Sequence, residues 1–136
     1  MQVFQSKQER IKGTSYGVLV KRARMLFDAE AKRTKRTPYI RSPYFGKEKI
    51  FLNLFWVHLG QKPQRERKYR LRYVACAFDL LHNSTVAPVS KLNPNNPFEK
   101  LHRFAGVSKD GNLFFVQVKE ELKSKRKYFM SVFSPK

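Results

Sequence analysis

Apolar and polar positions follow two different periods along this chain, and the change falls near residue 100. Tyr16, Leu19, Val20, Ala23, Leu26, Phe27 and Ala31 recur at the i, i+3, i+4 spacing of one helical face, with Lys21, Arg22, Arg24, Asp28 and Lys32 on the other. That spacing predicts an amphipathic helix. "KRTKRTPYIRSPYFGKEK" then breaks the pattern with two prolines and a glycine, leaving room for a short strand around Tyr39 and Ile40 that carries Arg41 to the surface. "IFLNLFWVHLG" is apolar almost all round; Gly60 and Pro63 punctuate it like a helix end and a new helix start, which favours helix. A second helix is expected from about Pro63 to His82. It aligns Tyr69, Tyr73, Cys76, Ala77 and Leu80 on one face, and crowds Arg65, Arg67, Lys68, Arg70 and Arg72 into its first turns. "NSTVAPVSKLNPNNPFEK" reads as an irregular connection. Residues 1–14 are polar and read as flexible.

Beyond residue 100 the period is 2. Strands at about 102–108, 112–119 and 127–133 form an antiparallel meander, joined by an Asp110-Gly111 turn and the basic loop "EELKSKRK". The expected fold class is α+β in a single domain: a mainly helical 15–83 packed on one face of a C-terminal antiparallel sheet of three to four strands, 101–134. With Asp110 and Gly111 at the two central turn positions, Val107 faces Phe114, Ala105 faces Val116 and Arg103 faces Val118. Phe114, Val116 and Val118 then lie under the helices. His102, Phe104, Phe115, Gln117 and Lys119 gather on the opposite, open face. In the third strand either Tyr128, Met130 and Val132 or Phe129, Ser131 and Phe133 share that face.

Charge narrows the partners. Twenty-nine Lys and Arg face ten Asp and Glu, a formal +19, and a folded domain tolerates such self-repulsion best when its partner is a polyanion. Nucleic acid is expected, RNA ahead of DNA; a solvated basic surface or anionic lipid is the alternative. Cys76 is the one cysteine, so neither an internal disulfide nor a cysteine-based zinc site can form. No apolar run has the length of a secretion signal or a membrane span, which points to a cytoplasmic protein without a membrane role. Acids are sparse and scattered, and no metal-ligand motif, phosphate loop or nucleophile elbow is present, so no metal and no cofactor is expected.

A metal-free ribonuclease asks for other parts. RNA supplies its own nucleophile in the 2′-hydroxyl; the protein moves one proton off it, gives one to the leaving 5′-oxygen, and stabilises the phosphorane. His102 suits the proton transfer, Arg103 and Lys119 the charge, and Gln117 and Ser131 can fix a phosphate oxygen. Phe104 and Phe115 can stack bases. Against this stand plainer roles: His102 as a structural histidine, Gln117 as a partner for a backbone group, Lys119 as a charge blunting a strand end. His58 is expected to pack with Phe55 and Leu59, and His82 to cap its helix.

The C-terminal third, with "HRFAG" before its DG turn, then "FFVQVKE" and "KYFMSVF", resembles the sheet of small nucleases of phages and mobile elements, in the fold group of barnase, EndoU, tRNA-cleaving colicins and RelE toxins. The resemblance implies an N-terminal helical part on an antiparallel sheet of about four strands, with metal-free RNA cleavage on the exposed face. It implies His102 or Arg103 as the strand-borne acid/base or phosphate residue, and Gln117 and Ser131 as polar positions on the following strands. Arg41, Lys47 and Lys49 would add charge. A second sheet histidine is not evident, so a Lys/Arg-based mechanism like that of the RelE toxins stands beside a two-histidine one. Such an effector implies an acidic immunity or antitoxin partner. The alternative function is a non-catalytic nucleic-acid binder, with "FWVHLGQKPQRERKYRLRY" as helix–turn–helix and Arg65, Arg67 and Lys68 on phosphates. Lys125 and Arg126, in the loop before the last strand, complete the expected contact set. Oligomeric state is not set by these patterns.

Overall fold

The computed structural model describes residues 2–135; Met1 and Lys136 lie outside them. Among the described residues the elements run β1 (Phe4–Gln5), α1 (Tyr16–Lys32), β2 (Tyr39–Ser42), β3 (Glu48–Phe51), α2 (Leu54–Gly60), α3 (Gln64–Leu71), α4 (Val74–Asn83), β4 (Val89–Asn93), β5 (Asn96–Val107), β6 (Leu113–Glu121) and β7 (Lys127–Phe133). The class is α+β. The sheet is larger than expected and mixed rather than antiparallel: seven strands in the order β1-β5-β6-β7-β3-β2, with β4 also on β5. β1 joins β5 and β3 joins β7 in parallel; the other pairs are antiparallel.

Helix α1 forms where its periodicity places it, and the Ser15 hydroxyl caps it by accepting from the Val18 N–H at 3.2 Å. Its buried stripe, Leu19, Ala23 and Phe27, meets α4 and the inner face of the sheet. Phe27 lies 4.8 Å from Phe78, and Phe55 of α2 stacks on Phe129 of β7 at 4.9 Å, so helices and sheet share one aromatic core.

Four elements depart from the sequence reading. The apolar run 50–60 divides: Ile50 and Phe51 finish β3, and only Leu54–Gly60 is helical. The long helix expected from Pro63 to His82 breaks at Arg72 and Tyr73 into α3 and α4, so that α4 can lay Val74, Cys76, Ala77, Phe78, Leu80 and Leu81 into the core while α3 buries only Leu71. The Pro/Asn-rich connection contains β4 and the start of β5, an antiparallel hairpin with a bulge at Leu92/Asn93. The N-terminal segment is held at several points. β1 pairs with Gly106 and Val107, the Ser6 hydroxyl donates to Asp79 at 2.8 Å, and the Ile11 N–H donates to the Arg72 carbonyl at 2.7 Å.

The β5–β6 loop decides which side chains share a face. The Gly111 N–H donates to the Ser108 carbonyl at 2.9 Å, Gly111 is left-handed at φ 88°, and the Ser108 N–H donates to the Asn112 carbonyl. The loop is therefore Lys109-Asp110-Gly111, three residues instead of two. Every β5 residue moves one place against β6: Arg103 faces Gln117, Phe104 faces Val116 and His102 faces Val118. Since side chains alternate, β5 turns over. Gly106 now sits opposite Phe114, where a β-carbon would come within 2.6 Å of the Phe114 ring, so any larger residue forces the ring to shift.

Candidate functional site

The turnover takes His102 and Phe104 off the open face. His102 is 5 % exposed and Phe104 2 %. The expected grouping of His102 with Gln117 and Lys119 does not form. On the helix side, beyond the helices and under the β2–β3 turn, His102 sits in a chain of polar groups. Its Nδ1 lies 2.7 Å from the Ser90 hydroxyl and its Nε2 2.8 Å from Glu120 Oε1. A carboxylate only accepts, so Nε2 carries the hydrogen toward Glu120; in the neutral imidazole Nδ1 then accepts from Ser90, and in the protonated one it donates to it. Glu120 Oε2 is 3.8 Å from Lys127 Nζ, which donates to Glu48 at 2.6 Å and to the Lys125 carbonyl at 3.2 Å. The Phe45 ring packs edge-on to His102 at 5.0 Å and lies 4.9 Å from the Lys127 ammonium. Each charge in this chain has an opposite neighbour, as burial requires.

Ser131 keeps its place opposite Gln117 but is buried. Gln117 pairs with Ser131 and Val118 with Phe129, so one extra residue, Met130, bulges into β7. Met130 takes the open face, where its sulfur lies 3.8 Å from Gln117 Nε2, and Ser131 is 3 % exposed. The bulge changes the parity of the strand midway: Tyr128 and Met130 face out before it and Phe133 after it. Neither expected alternative for the third strand holds throughout.

What remains on the open face is a lattice of rings and cations. Tyr39 of β2, Phe51 of β3 and Tyr128 of β7 are adjacent in register, with ring centroids 6.2 Å and 5.9 Å apart, and all three are half-buried. Lys49 lies 4.6 Å and Arg41 5.3 Å from the Tyr39 ring, Arg126 5.9 Å from Phe51, and Lys119 5.4 Å from Tyr128. Toward the other end Phe115 and Phe133 meet at 5.6 Å, with the Arg103 guanidinium 5.8 Å and 5.2 Å from them. Lys119 also pairs with Glu99 at 3.2 Å, and Arg41 donates to the Lys47 carbonyl at 3.1 Å. Lys47 and Lys125 are exposed, each at a turn position with positive φ. A cavity of about 350 Å³ lies on this face between the β4–β5 hairpin and the sheet, lined by Lys91, Leu101, Arg103, Gln117 and Met130 among others.

The basic helix is spent largely on its own surroundings. Arg67 donates to the Lys62 and Gly60 carbonyls at 2.7 and 2.9 Å, closing the end of α2. Arg70 pairs with Glu66 at 2.7 Å, Arg72 donates to the Ile11 and Gly13 carbonyls, and Lys68 to that of Thr14. The helix that carries these tethers is eight residues long. Arg65, in its first turn, is exposed.

His58, His82 and Cys76 lie away from the open face. Burial, then Lys62 and Arg70, push the His58 imidazole below its ordinary value. His82 does not cap α4; its Nε2 meets both carboxylate oxygens of the buried Glu30 at 2.9 and 3.1 Å, joining α4 to α1. Burial pushes the Cys76 thiol up to about 12, which leaves it unreactive. Among the described residues no three His, Cys, Asp or Glu are grouped to hold a metal ion, and no helix is long and apolar enough to cross a membrane.

Sequence reasoning found Arg41, Lys49, Arg103, Phe115, Gln117, Lys119 and Arg126, which the structure brings to this face. It missed Tyr39 and Phe51 as surface rings, and it offered Tyr128 and Phe133 as alternatives where the structure puts both on the face. The signal was there: "YIR" and "KIF" alternate about the SPYFG turn, so Tyr39 and Phe51 share a face once the hairpin is seen. No family model matches the chain, and neither a curated protein nor a solved structure matches it.

Proposed function

We propose that this chain binds single-stranded nucleic acid, RNA foremost, across the open face of its sheet. The observation that carries this reading is the row Tyr39–Phe51–Tyr128, three strands wide and interleaved with Arg41, Lys49, Arg126 and Lys119. A solvated sheet face needs no such row. Rings of this kind stack unpaired bases, each contributing about 1–3 kcal/mol, while flanking cations follow the phosphates. The formal +19 supplies the long-range attraction. RNA is the expected polymer because its loops and ends display unstacked bases. A duplex keeps its bases paired and leaves the rings without partners.

Fluorescence anisotropy with a twelve-nucleotide strand and its duplex tests this. Binding should favour the single strand, weaken steeply with salt, and weaken further in Phe51→Ala and Tyr128→Ala. Equal affinity for duplex, or indifference to both substitutions, would sink it.

The cavity beside Arg103 favours a second reading, metal-independent RNA cleavage. Arg103, Lys119 and Gln117 would then stabilise phosphorane charge by Lys/Arg chemistry, without His102. Incubation with RNA in EDTA, with fragment ends mapped, addresses it. Fragments ending in 2′,3′-cyclic phosphate, absent with Arg103→Ala, would support cleavage; intact RNA under conditions of saturating binding would leave binding alone.

A further inference from the structure

Where the open face ends, at the start of β6 and just past the end of β7, it meets a second cavity of about 430 Å³. Arg10, Arg65, Tyr69, Tyr73, Asn112 and Leu113 line it, with Ser134 and Pro135 at its rim. A smaller hollow of about 190 Å³ shares Arg65 and Tyr69 and adds Lys68 and Arg72. The residues come together for clear reasons. Arg65, Tyr69 and Tyr73 follow at spacings of four and so lie on one side of α3 and its exit. Arg10 is brought in by the N-terminal segment and fixed there, its Nε 2.9 Å from Asp110 Oδ2 and its backbone N–H on Oδ1. Tyr73 is 4 % exposed and its ring stacks on Phe114 at 5.7 Å.

The lining divides into two chemistries. The Tyr69 ring and Leu113, 46 % and 38 % exposed, offer an apolar wall. Arg10, Arg65, the Asn112 amide and the Tyr73 hydroxyl offer donors and positive charge. Such a mixture suits a flat base beside a phosphate, and about 430 Å³ lies in the range of small-molecule sites, well above what a lone phosphate fills. The cavity also continues the face already described. Leu113 lies two residues before Phe115 and Ser134 directly follows Phe133, the ring pair held at 5.6 Å and overlain by Arg103, with Arg70 5.5 Å from Phe133 on the side of α3.

We propose that this cavity takes the terminal nucleotide of a strand lying on the sheet and recognises it by its terminal phosphate. The inference rests on the single-strand reading above. A terminal phosphomonoester carries more charge and one more free oxygen than an internal diester, so two arginines can distinguish it by charge-assisted hydrogen bonds. The shared chemistry is the phosphomonoester, whether on the 5′ or the 3′ end.

The test uses the full chain and four versions of one internally labelled ten-nucleotide strand: 5′-phosphorylated, 3′-phosphorylated, hydroxyl at both ends, and covalently circular. One phosphorylated version should bind about 10-fold more tightly than the hydroxyl-ended and circular ones, as expected for charge-assisted phosphate contacts. The other phosphorylated version controls for charge alone. The readout is the ratio of phosphorylated to circular affinity within each variant. Arg65→Ala should bring it to about one, and Tyr128→Ala should lower every affinity while keeping it. Equal binding of all four strands overturns the end site and leaves the sheet reading standing. A phosphate preference that survives Arg65→Ala also overturns it. Failure of every strand to bind, the circular one included, overturns both.

Discussion

The two faces of one sheet treat the same kinds of side chain in opposite ways. On the helix side, beneath Phe45, His102, Glu120 and Lys127 are largely buried and satisfy one another, and the exposed Ser90 and Glu48 end the chain, with His102 and Lys127 each 5 % exposed. On the open side, cations outnumber acids and lie against half-exposed rings, Glu99 being the carboxylate that Lys119 reaches. Histidine, serine and glutamate together would attract any search for catalysis, yet here they close on themselves. Rings and cations would pass for packing, yet they are what meets solvent. Chemistry that faces outward and is incompletely paired is the better guide to function.

The comparison is broken most severely by attacking the closed chain. Glu120→Ala removes the carboxylate between His102 and Lys127 and leaves both without it in a buried setting. We expect a loss of about 3 kcal/mol, measured by urea unfolding, with strand affinity unchanged under conditions where the variant is folded. A stability equal to wild type would show that the chain is not buried as described. Gly106→Ala comes next: the added methyl meets the Phe114 ring, and the cost should be about 1–3 kcal/mol in the same measurement. On the open face the currency changes from stability to affinity. Tyr128→Ala should weaken single-strand binding by about 1–3 kcal/mol, roughly 5- to 150-fold, while moving the unfolding midpoint little.

The smallest effect concerns the hairpin turn that sets the two faces. Burial raises the Asp110 carboxyl, but hydrogen bonds from Ser108 and from the Arg10 side chain and backbone outweigh it and hold the group at about 2, against an ordinary 3.8. A lowered folded-state value means that the stabilisation is complete above about pH 4 and fades as pH falls from there toward 2. Asp110→Asn should lower stability slightly near neutral pH and flatten its dependence below about pH 4, as followed by thermal melts at stepped pH.

Much of the fold is legible in the sequence, and the failures are specific. Helix α1 carries a full periodic stripe and its Ser15 cap, so local pattern and tertiary burial agree. Phe114, Val116 and Val118 are correctly placed inward because β6 alternates strictly. β5 fails by a single residue: an Asp-Gly pair fits both a two-residue turn and the last two places of a three-residue loop, and the choice reverses an entire strand. β7 fails because a bulge has no mark in "KYFMSVF" until its partner is known. β4 is short and exposed at four of its five positions, so it has no apolar alternation to read. Gln117 and Lys119 stand where expected because both belong to β6; Arg103, expected opposite Val118 on the apolar side, reaches the open face by the very slip that removed His102.

Strand β7 has a place in the sheet that bears on how the chain is made. It alone joins the β4–β5–β6 antiparallel array to the β2–β3 hairpin, through an antiparallel edge on one side and a parallel edge on the other. During synthesis the hairpin emerges some eighty residues before its neighbour. Until residues 127–133 leave the ribosome, the Tyr39–Phe51 pair and the Phe115 region are not hydrogen-bonded into one sheet. The complete row of rings therefore exists only in a finished chain: a translation product cut short before β7 would carry nearly all of the positive charge and lack the assembled surface.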